Sequence, residues 1–226
     1  MPRTTYRVSL SSAPAALAGP PFTDAYPVRL RDGSVLTLPI QPLPGGEQAI
    51  ALLMSNQTPF AVETGLAELL ATTAREFAPE AITGIPTLGL DYARLVARAL
   101  GFPSYAPLGN SRKFWYSDEL SVPVESVMSA GTQKRLYIDP TIVERVAGKR
   151  VLVVDDVINT GGSAAAAISL LGRAGAQVVG LAVVLVEGTA WKAALGKFAP
   201  DWPDRVKGLG AIPIFSKGPG GWYPIP

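Results

Sequence analysis

Continuous apolar runs alternate with helix-forming segments along most of the chain. Residues 81–85, 151–154 and 178–187 are rich in Val, Ile and Leu, as strands buried on both faces usually are. Residues 90–100 and 164–171 follow two of these runs and have the composition and apolar spacing of helices. This alternation predicts an α/β fold with a mostly parallel, twisted sheet flanked by helices.

The two ends of the chain depart from this pattern. Asp32-Gly33 lies between alternating apolar residues in the segment 26–38, which predicts a β-hairpin. We expect a weakly ordered N-terminal arm at 1–24, a main domain at 25–200, and an irregular C-terminal segment at 201–226 that packs on the same domain. Small N- and C-terminal elements would then form a hood over the main domain. Within the last segment, a run broken by Pro213 predicts at most an edge strand.

Composition excludes several classes of function. The 226 residues contain no histidine and no cysteine, which rules out a Ser-His-Asp triad, a thiol nucleophile and a histidine-ligated metal. The formal net charge is only +2 and there is no dense cluster of Lys and Arg, so we expect no nucleic-acid partner. No apolar run is long enough to span a membrane as a helix, and the N-terminus does not favour a signal peptide. We therefore predict a cytoplasmic protein with no membrane association.

The segment Val151–Ser163 carries the strongest chemical signal. An apolar strand is followed by Asp155 and Asp156, and then by a short turn that opens into an alanine-rich helix. Ligands of open α/β sheets bind at the carboxyl ends of the strands. A helix N-terminus preceded by small residues offers free N–H groups to a phosphate. Two acids beside such a turn suit a ligand with a phosphate and vicinal hydroxyls, such as a sugar phosphate.

Three further classes of site resemble this segment but fit it less well. A response-regulator receiver also has an acidic pair after an apolar strand, but its pair lies near the start of a short domain. A phosphate-binding P-loop needs a lysine after the glycines, whereas Ser163 stands there. A dinucleotide fold needs G-x-G-x-x-G after a strand, which does not occur in that context.

Val151–Ser163 resembles the signature of type I phosphoribosyltransferases, which binds 5-phosphoribosyl 1-pyrophosphate (PRPP). Gly84–Gly89 falls where this family has its pyrophosphate loop, and residues 109–133 fall where it has a mobile catalytic loop. The resemblance covers roughly residues 25–195 and is greatest to the adenine and xanthine enzymes. Adenine enzymes carry a Glu two residues before the glycine matched by Gly131, where this chain has Ser129.

The resemblance implies a role for each part of the site. Asp155 and Asp156 would bind the ribose hydroxyls of PRPP and hold Mg²⁺ through those hydroxyls or through water. The 5-phosphate would be bound by Asn159, Thr160, Gly161, Gly162 and Ser163. The pyrophosphate would be bound by Pro86, Thr87, Leu88 and Gly89.

The resemblance is less specific about the residues that would bind the acceptor base and about those of the 109–133 loop that would act in catalysis. Arg112 and Lys113 would neutralise pyrophosphate or contact the base, or they form an ordinary solvated basic pair. Phe114 and Trp115 would stack on a purine, or they pack a loop onto the body of the protein. The family also places one wall of the base pocket after the strand that follows the PRPP helix, where Glu187 and Trp191 stand.

The predicted function is transfer of phosphoribose from PRPP to a nucleobase, with a purine such as adenine or xanthine as the expected acceptor. The products would be a nucleoside 5-monophosphate and pyrophosphate. A non-catalytic regulatory protein that binds PRPP is the alternative, and a structural protein that keeps only the fold is a third. The family also suggests a homodimer.

Overall fold

The computed structural model describes residues 5–12, 17–124 and 134–225. Its α-helices in these ranges are α1 (Phe60–Arg75), α2 (Gly89–Ala99), α3 (Gly162–Arg173) and α4 (Ala190–Gly196). Its strands in the same ranges are β1 (Ser9–Ser11), β2 (Ala25–Arg29), β3 (Val35–Pro42), β4 (Gln48–Ala51), β5 (Ala81–Gly84), β6 (Ala106–Pro107), β7 (Ser121–Pro123), β8 (Arg135–Tyr137), β9 (Arg150–Ile158), β10 (Gln177–Glu187), β11 (Val206–Ile212), β12 (Ile214–Gly218) and β13 (Gly221–Ile225).

A five-stranded parallel sheet forms the centre of the molecule, in the order β11-β10-β9-β5-β6. The apolar start of β9 is fully buried, because Leu152 and Val154 pack with α1 and α2 on one face while Val151 and Val153 pack with α3 on the other. Burial on both faces explains why this strand is a continuous apolar run. The predicted α/β fold with a parallel sheet is confirmed.

A second, antiparallel sheet combines the two ends of the chain. The predicted hairpin is confirmed as β2 and β3, and β3 continues to β4, β12 and β13. Phe22 and Trp222 exchange two backbone hydrogen bonds of 2.9 and 2.7 Å, which join the chain just before β2 to β13. The strands from β2 to β13 therefore close into a small barrel, and the rings of Phe22, Tyr26 and Phe215 pack edge to face within it.

The prediction of irregular structure at 201–226 is wrong. The glycines and prolines that suggested it form a tight turn, since Gly218 pairs with Gly221 across Pro219 and Gly220, which has a φ of 78°. A side chain at Gly221 would collide with the Phe22 carbonyl, so glycine permits the close approach that completes the barrel.

Pro213 separates two strands that belong to different sheets. The predicted edge strand at 211–215 is divided there, because β11 ends at Ile212 in the parallel sheet and β12 begins at Ile214 in the antiparallel one. Proline cannot donate to a ladder, so it suits the residue at which the chain leaves one sheet for the other.

The predicted arm and the predicted mobile loop are only partly within the described residues. Ser9–Ser11 of the arm forms β1 against β3. Within the segment 109–133, a short 3-10 helix at Asp118–Leu120 is followed directly by β7, which pairs antiparallel with β8. Residues 125–133, which include Ser129 and Gly131, lie outside the described residues, and the mobility of the loop stays a prediction. Within the described ranges, the structure has no helix of the length and hydropathy that crossing a membrane requires.

Candidate active site

The two acids lie inside strand β9 and not after it. The strand continues to Ile158, so the expectation that it ends before Asp155 is wrong. Asp155 is 9 % exposed, and Asp156 is half-buried beside it. The Asp156 backbone N–H donates a 3.0 Å hydrogen bond to Asp155 Oδ1, which fixes the first carboxylate against the strand.

The ionised forms of both acids are unfavourable in the ligand-free protein. Burial, and then the neighbouring charge of Asp156, raise the pKa of Asp155 well above its ordinary value. Burial also raises the pKa of Asp156. No salt bridge among the described residues includes either acid. A ligand that donates hydrogen bonds, or a cation, would therefore stabilise their charged state.

The predicted pyrophosphate loop lies directly against this pair. Pro86, Thr87 and Leu88 connect β5 to α2, and the peptide between Pro86 and Thr87 is cis. A Cβ on Gly89 would collide with the Asp155 side chain and lie 2.9 Å from its Cα. Glycine at this position lets the N-terminus of α2, with its free N–H groups, pack onto the acid-bearing strand.

Ser55 is a buried serine that contacts the pyrophosphate loop, and the sequence alone did not predict this role. Ser55 is 1 % exposed, and its Oγ lies 2.8 Å from the Leu88 carbonyl oxygen and 2.8 Å from Asp91 Oδ2. Its one proton can be donated to either oxygen. Ser55 lies 33 residues before Leu88 in the chain, and no local motif marks the contact.

Ser55→Ala is expected to raise the KM for PRPP about tenfold. The substitution leaves the Leu88 carbonyl and the Asp91 carboxylate without this partner, which costs about 1–3 kcal/mol for a buried group. The measurement is steady-state kinetics with varied PRPP, and Ser104→Ala, at an exposed hydroxyl between α2 and β6, is the matched control. An unchanged KM for PRPP in Ser55→Ala would separate Ser55 from the loop's function.

The predicted 5-phosphate loop forms the N-terminus of α3. Asn159 and Thr160 precede Gly161, which has a φ of 82°, and the helix begins at Gly162 and continues through Ser163. Thr160 Oγ1 lies 3.5 Å from the Gly162 backbone nitrogen. The first N–H groups of a twelve-residue helix therefore face the same edge of the sheet as the acids.

Trp191 packs against the phosphate loop at Gly161. It is 5 % exposed, and its indole N–H donates to the Gly188 carbonyl at 3.2 Å. A Cβ on Gly161 would lie 3.0 Å from Trp191 Cα. Glu187, also predicted for the base pocket, is the buried last residue of β10, next to the strand that carries the acids.

The basic and aromatic segment at 112–116 follows β6. Its side-chain contacts are with residues other than the acid pair and the two loops. Arg112 forms an exposed ion pair of 3.1 Å with Asp118, and Lys113 is exposed. The Trp115 indole N–H donates to Asp139 Oδ2 at 3.1 Å, whereas Phe114 is 96 % exposed. Trp115 thus attaches the loop to the body of the protein, and Phe114 is left with its ring in solvent.

The acid pair fits a magnesium ion only in combination with a substrate. The described residues contain no group of three or more acidic, His or Cys side chains that would hold a metal by themselves. Mg²⁺ is usually bound by one or two carboxylates together with substrate phosphates and water. Asp155 and Asp156 supply that number of carboxylates.

Comparison with known proteins identifies the family. The model of the phosphoribosyl transferase domain matches residues 58–206, which include the acid pair and both loops. The chain belongs to this family. An adenine phosphoribosyltransferase of Kineococcus radiotolerans is 38 % identical over 139 residues, 60 % of this chain and 68 % of that protein. One from Frankia casuarinae is 36 % identical over 154 residues, 68 % of this chain and 77 % of that protein.

Solved structures confirm the phosphoribosyltransferase fold. The enzyme of Giardia lamblia, described as an APRTase complexed with 9-deazaadenine, has a TM-score of 0.54 at 17 % identity and covers 72 % of this chain and 93 % of its own. At that identity the likeness concerns the fold alone. The resemblance recognised in Val151–Ser163 is thereby confirmed at the level of family and fold.

Proposed function

We propose that this phosphoribosyltransferase transfers phosphoribose from PRPP to a purine base, with release of pyrophosphate and a nucleoside 5-monophosphate. The observation that carries the proposal is the meeting of three features at one edge of the sheet. These are the buried pair Asp155 and Asp156, the Pro86–Gly89 loop packed on Asp155, and the Gly161–Ser163 start of α3. The relatives named above are adenine phosphoribosyltransferases, which supports a purine acceptor.

The roles of the residues follow from their chemistry. Asp155 and Asp156 accept hydrogen bonds from the ribose 2- and 3-hydroxyls, which offsets the unfavourable charge of the buried pair. Backbone N–H groups from Gly161 to Ser163, with the hydroxyls of Thr160 and Ser163, bind the 5-phosphate, while Asn159 shapes the turn. Backbone N–H groups of Thr87, Leu88 and Gly89 bind the pyrophosphate, and Pro86 sets the start of that loop.

Catalysis is then mainly positioning and charge stabilisation. As the bond from ribose C1 to pyrophosphate lengthens, the sugar gains positive charge, and the two aspartates lie on the side where negative charge stabilises it. Arg112 and Lys113 are proposed to approach the pyrophosphate when the substrate is bound. Asp155 and Asp156 would hold Mg²⁺ through PRPP hydroxyls or water, and the bound ion would supply positive charge that stabilises the pyrophosphate leaving group.

The base is proposed to lie between the acid-bearing edge of the sheet and the aromatic segment. Phe114 offers an exposed ring for stacking. The Trp115 ring lies edge to face with it, and the two ring centroids are 4.8 Å apart. Glu187 would contribute polar contacts, and Trp191 would act through the phosphate loop that it supports. We also propose a homodimer and a cytoplasmic location, as the resemblance and the composition predict.

Calorimetric titration with PRPP tests the site assignment. We expect PRPP to bind more tightly with Mg²⁺ than without it, and ribose 5-phosphate, which lacks the pyrophosphate, to bind more weakly than PRPP. Equal affinity for PRPP and ribose 5-phosphate would remove the Pro86–Gly89 loop from the site. A PRPP-binding regulator would give the same titration as an enzyme, and only turnover separates them.

A further inference from the structure

The segment before β1 is anchored on the body of the protein. Val8 is buried in the core to which α1 and α2 contribute, and β1 itself pairs with β3. A Cβ on Gly65, inside α1, would lie 2.8 Å from Leu10 Cδ2. Glycine destabilises a helix interior, but at this position its missing side chain lets β1 approach the helix closely. The residues just before Val8 are therefore held in a defined place beside α1.

The Tyr6 hydroxyl in this segment binds the backbone of Met54. The half-buried Tyr6 accepts a hydrogen bond of 2.8 Å from the Met54 backbone N–H. Its own proton can be donated to the Met54 carbonyl oxygen at 3.1 Å or to Thr58 Oγ1 at 2.9 Å. Thr58 Oγ1 also donates to the Met54 carbonyl at 2.8 Å. Side chains thus hold both polar groups of the Met54 backbone, which fixes the orientation of this residue.

Met54 is followed directly by the residue that contacts the proposed pyrophosphate loop. Ser55 begins a short 3-10 helix, Ser55–Gln57, and its Oγ lies 2.8 Å from the Leu88 carbonyl oxygen and 2.8 Å from Asp91 Oδ2. Leu88 is the residue before α2 begins. A continuous series of contacts therefore joins Tyr6 to the pyrophosphate loop through three separate parts of the chain.

This series of contacts bears on one part of the substrate site only. Backbone N–H groups bind an anion well when their directions are fixed before the ligand arrives. Ser55 can hold Leu88 only at the position that Met54 gives it, and Tyr6 holds Met54. The 5-phosphate loop has a different support, because Trp191 of α4 packs against Gly161. A change at Tyr6 should therefore affect the pyrophosphate and leave the 5-phosphate unaffected.

We propose that Tyr6 is a positioning residue for pyrophosphate binding, and that the N-terminal segment holds the Pro86–Gly89 loop in its binding geometry through Met54 and Ser55. The inference rests on the proposed function, because it assigns a support to a loop of the same site. Tyr6 itself contacts no substrate in this arrangement and acts through Ser55.

Tyr6→Phe is expected to weaken PRPP binding about fivefold and to change the affinity for ribose 5-phosphate less than about twofold, because the ring stays while the Met54 N–H loses its acceptor. Ribose 5-phosphate lacks the pyrophosphate, so it reports on the rest of the site. Tyr223→Phe is the matched control. The Tyr223 hydroxyl donates to the Pro219 carbonyl at 2.9 Å in the turn of the barrel, so this variant also loses a bond between a hydroxyl and the backbone. It should change neither affinity.

A double variant tests whether Tyr6 acts through Ser55. If both residues position the loop through one series of contacts, Tyr6→Phe combined with Ser55→Ala should lose about tenfold in PRPP affinity, as expected for Ser55→Ala alone, and not the product of about fiftyfold. An additive loss would show that the two side chains act independently, which overturns the proposed route.

The experiment is calorimetric titration of these variants with PRPP and with ribose 5-phosphate, each in the presence of Mg²⁺. A loss confined to PRPP supports the proposal. Wild-type PRPP affinity in Tyr6→Phe, or an equal loss for both ligands, overturns the role of Tyr6 and leaves the proposed function standing. Should Tyr6→Phe fail to fold, Thr58→Val, which removes the other side chain that holds Met54, is expected to show the same selective loss and decides instead. Absence of pyrophosphate release with any base would overturn the transfer reaction, whereas the two affinities would still decide the role of Tyr6.

Discussion

Asp155→Asn is expected to lower kcat/KM at least about 100-fold while raising the melting temperature of the ligand-free protein at neutral pH. Catalysis falls because the amide lacks the negative charge that stabilises the sugar and accepts from its hydroxyls. Stability rises because burial and Asp156 make the ionised form of Asp155 costly in the folded state. We expect a gain of at least about 2 °C at pH 8.

The sign of the pH dependence follows from linkage. The pKa of Asp155 is raised in the folded state and ordinary, about 3.9, in the unfolded state. Between these two values the folded state binds more protons, so the stability of the wild type falls as pH rises through this window. The advantage of Asp155→Asn should therefore be larger at pH 8 than at pH 4.

Thermal melts at the two pH values and kinetics with varied PRPP check this pair of effects. Asp204→Asn, at an exposed carboxylate, is the matched control and should change neither quantity. Retention of more than a tenth of kcat/KM by Asp155→Asn would contradict the catalytic role. A lower melting temperature at pH 8 would contradict the presence of a buried, uncompensated charge.

Gly161→Val is expected to abolish measurable PRPP binding, with an affinity loss of at least about 100-fold. Gly161 has a φ of 82°, which a β-branched residue adopts only under strain. Its new Cβ would also lie 3.0 Å from Trp191 Cα and 3.1 Å from Ala194 Cβ, so α4 and the phosphate loop would have to separate. The N–H groups that bind the 5-phosphate would then lose their geometry.

Calorimetric titration with PRPP measures the effect. Gly172→Ala is the control in the same helix, because nothing lies within 4 Å of a Cβ at that position and alanine favours the helix. Normal PRPP affinity in a folded Gly161→Val protein would show that the start of α3 does not bind the phosphate.

The central sheet and the acid pair could be predicted because their signals are local. Strands buried on both faces must be continuous apolar runs, and the helix after Gly161 begins with the small residues that an anion site requires. The end of this strand could not be predicted, because two adjacent acids are typical of a strand's end, whereas β9 continues through them to Val157 and Ile158.

The barrel and the support of the loops could not be predicted, because they depend on contacts between distant residues. Strand β12 pairs with β4, and Trp222 pairs with Phe22 across 200 positions of the chain. The sequence around each of these partners contains no local signal that indicates the other. The glycine-rich turn at 218–221 has a composition shared by irregular segments and hairpins. Ser55 and the contact between Gly89 and Asp155 likewise exist only once the sheet has formed.

Pyrophosphate release from PRPP and Mg²⁺ in the presence of individual free bases tests the central claim most directly. We expect release with a purine, in equal amount to the nucleoside 5-monophosphate formed, and at least about 100-fold slower release from an Asp155→Asn protein. Tight PRPP binding with no release in the presence of any base would contradict the proposed transfer and identify a PRPP-binding regulator instead.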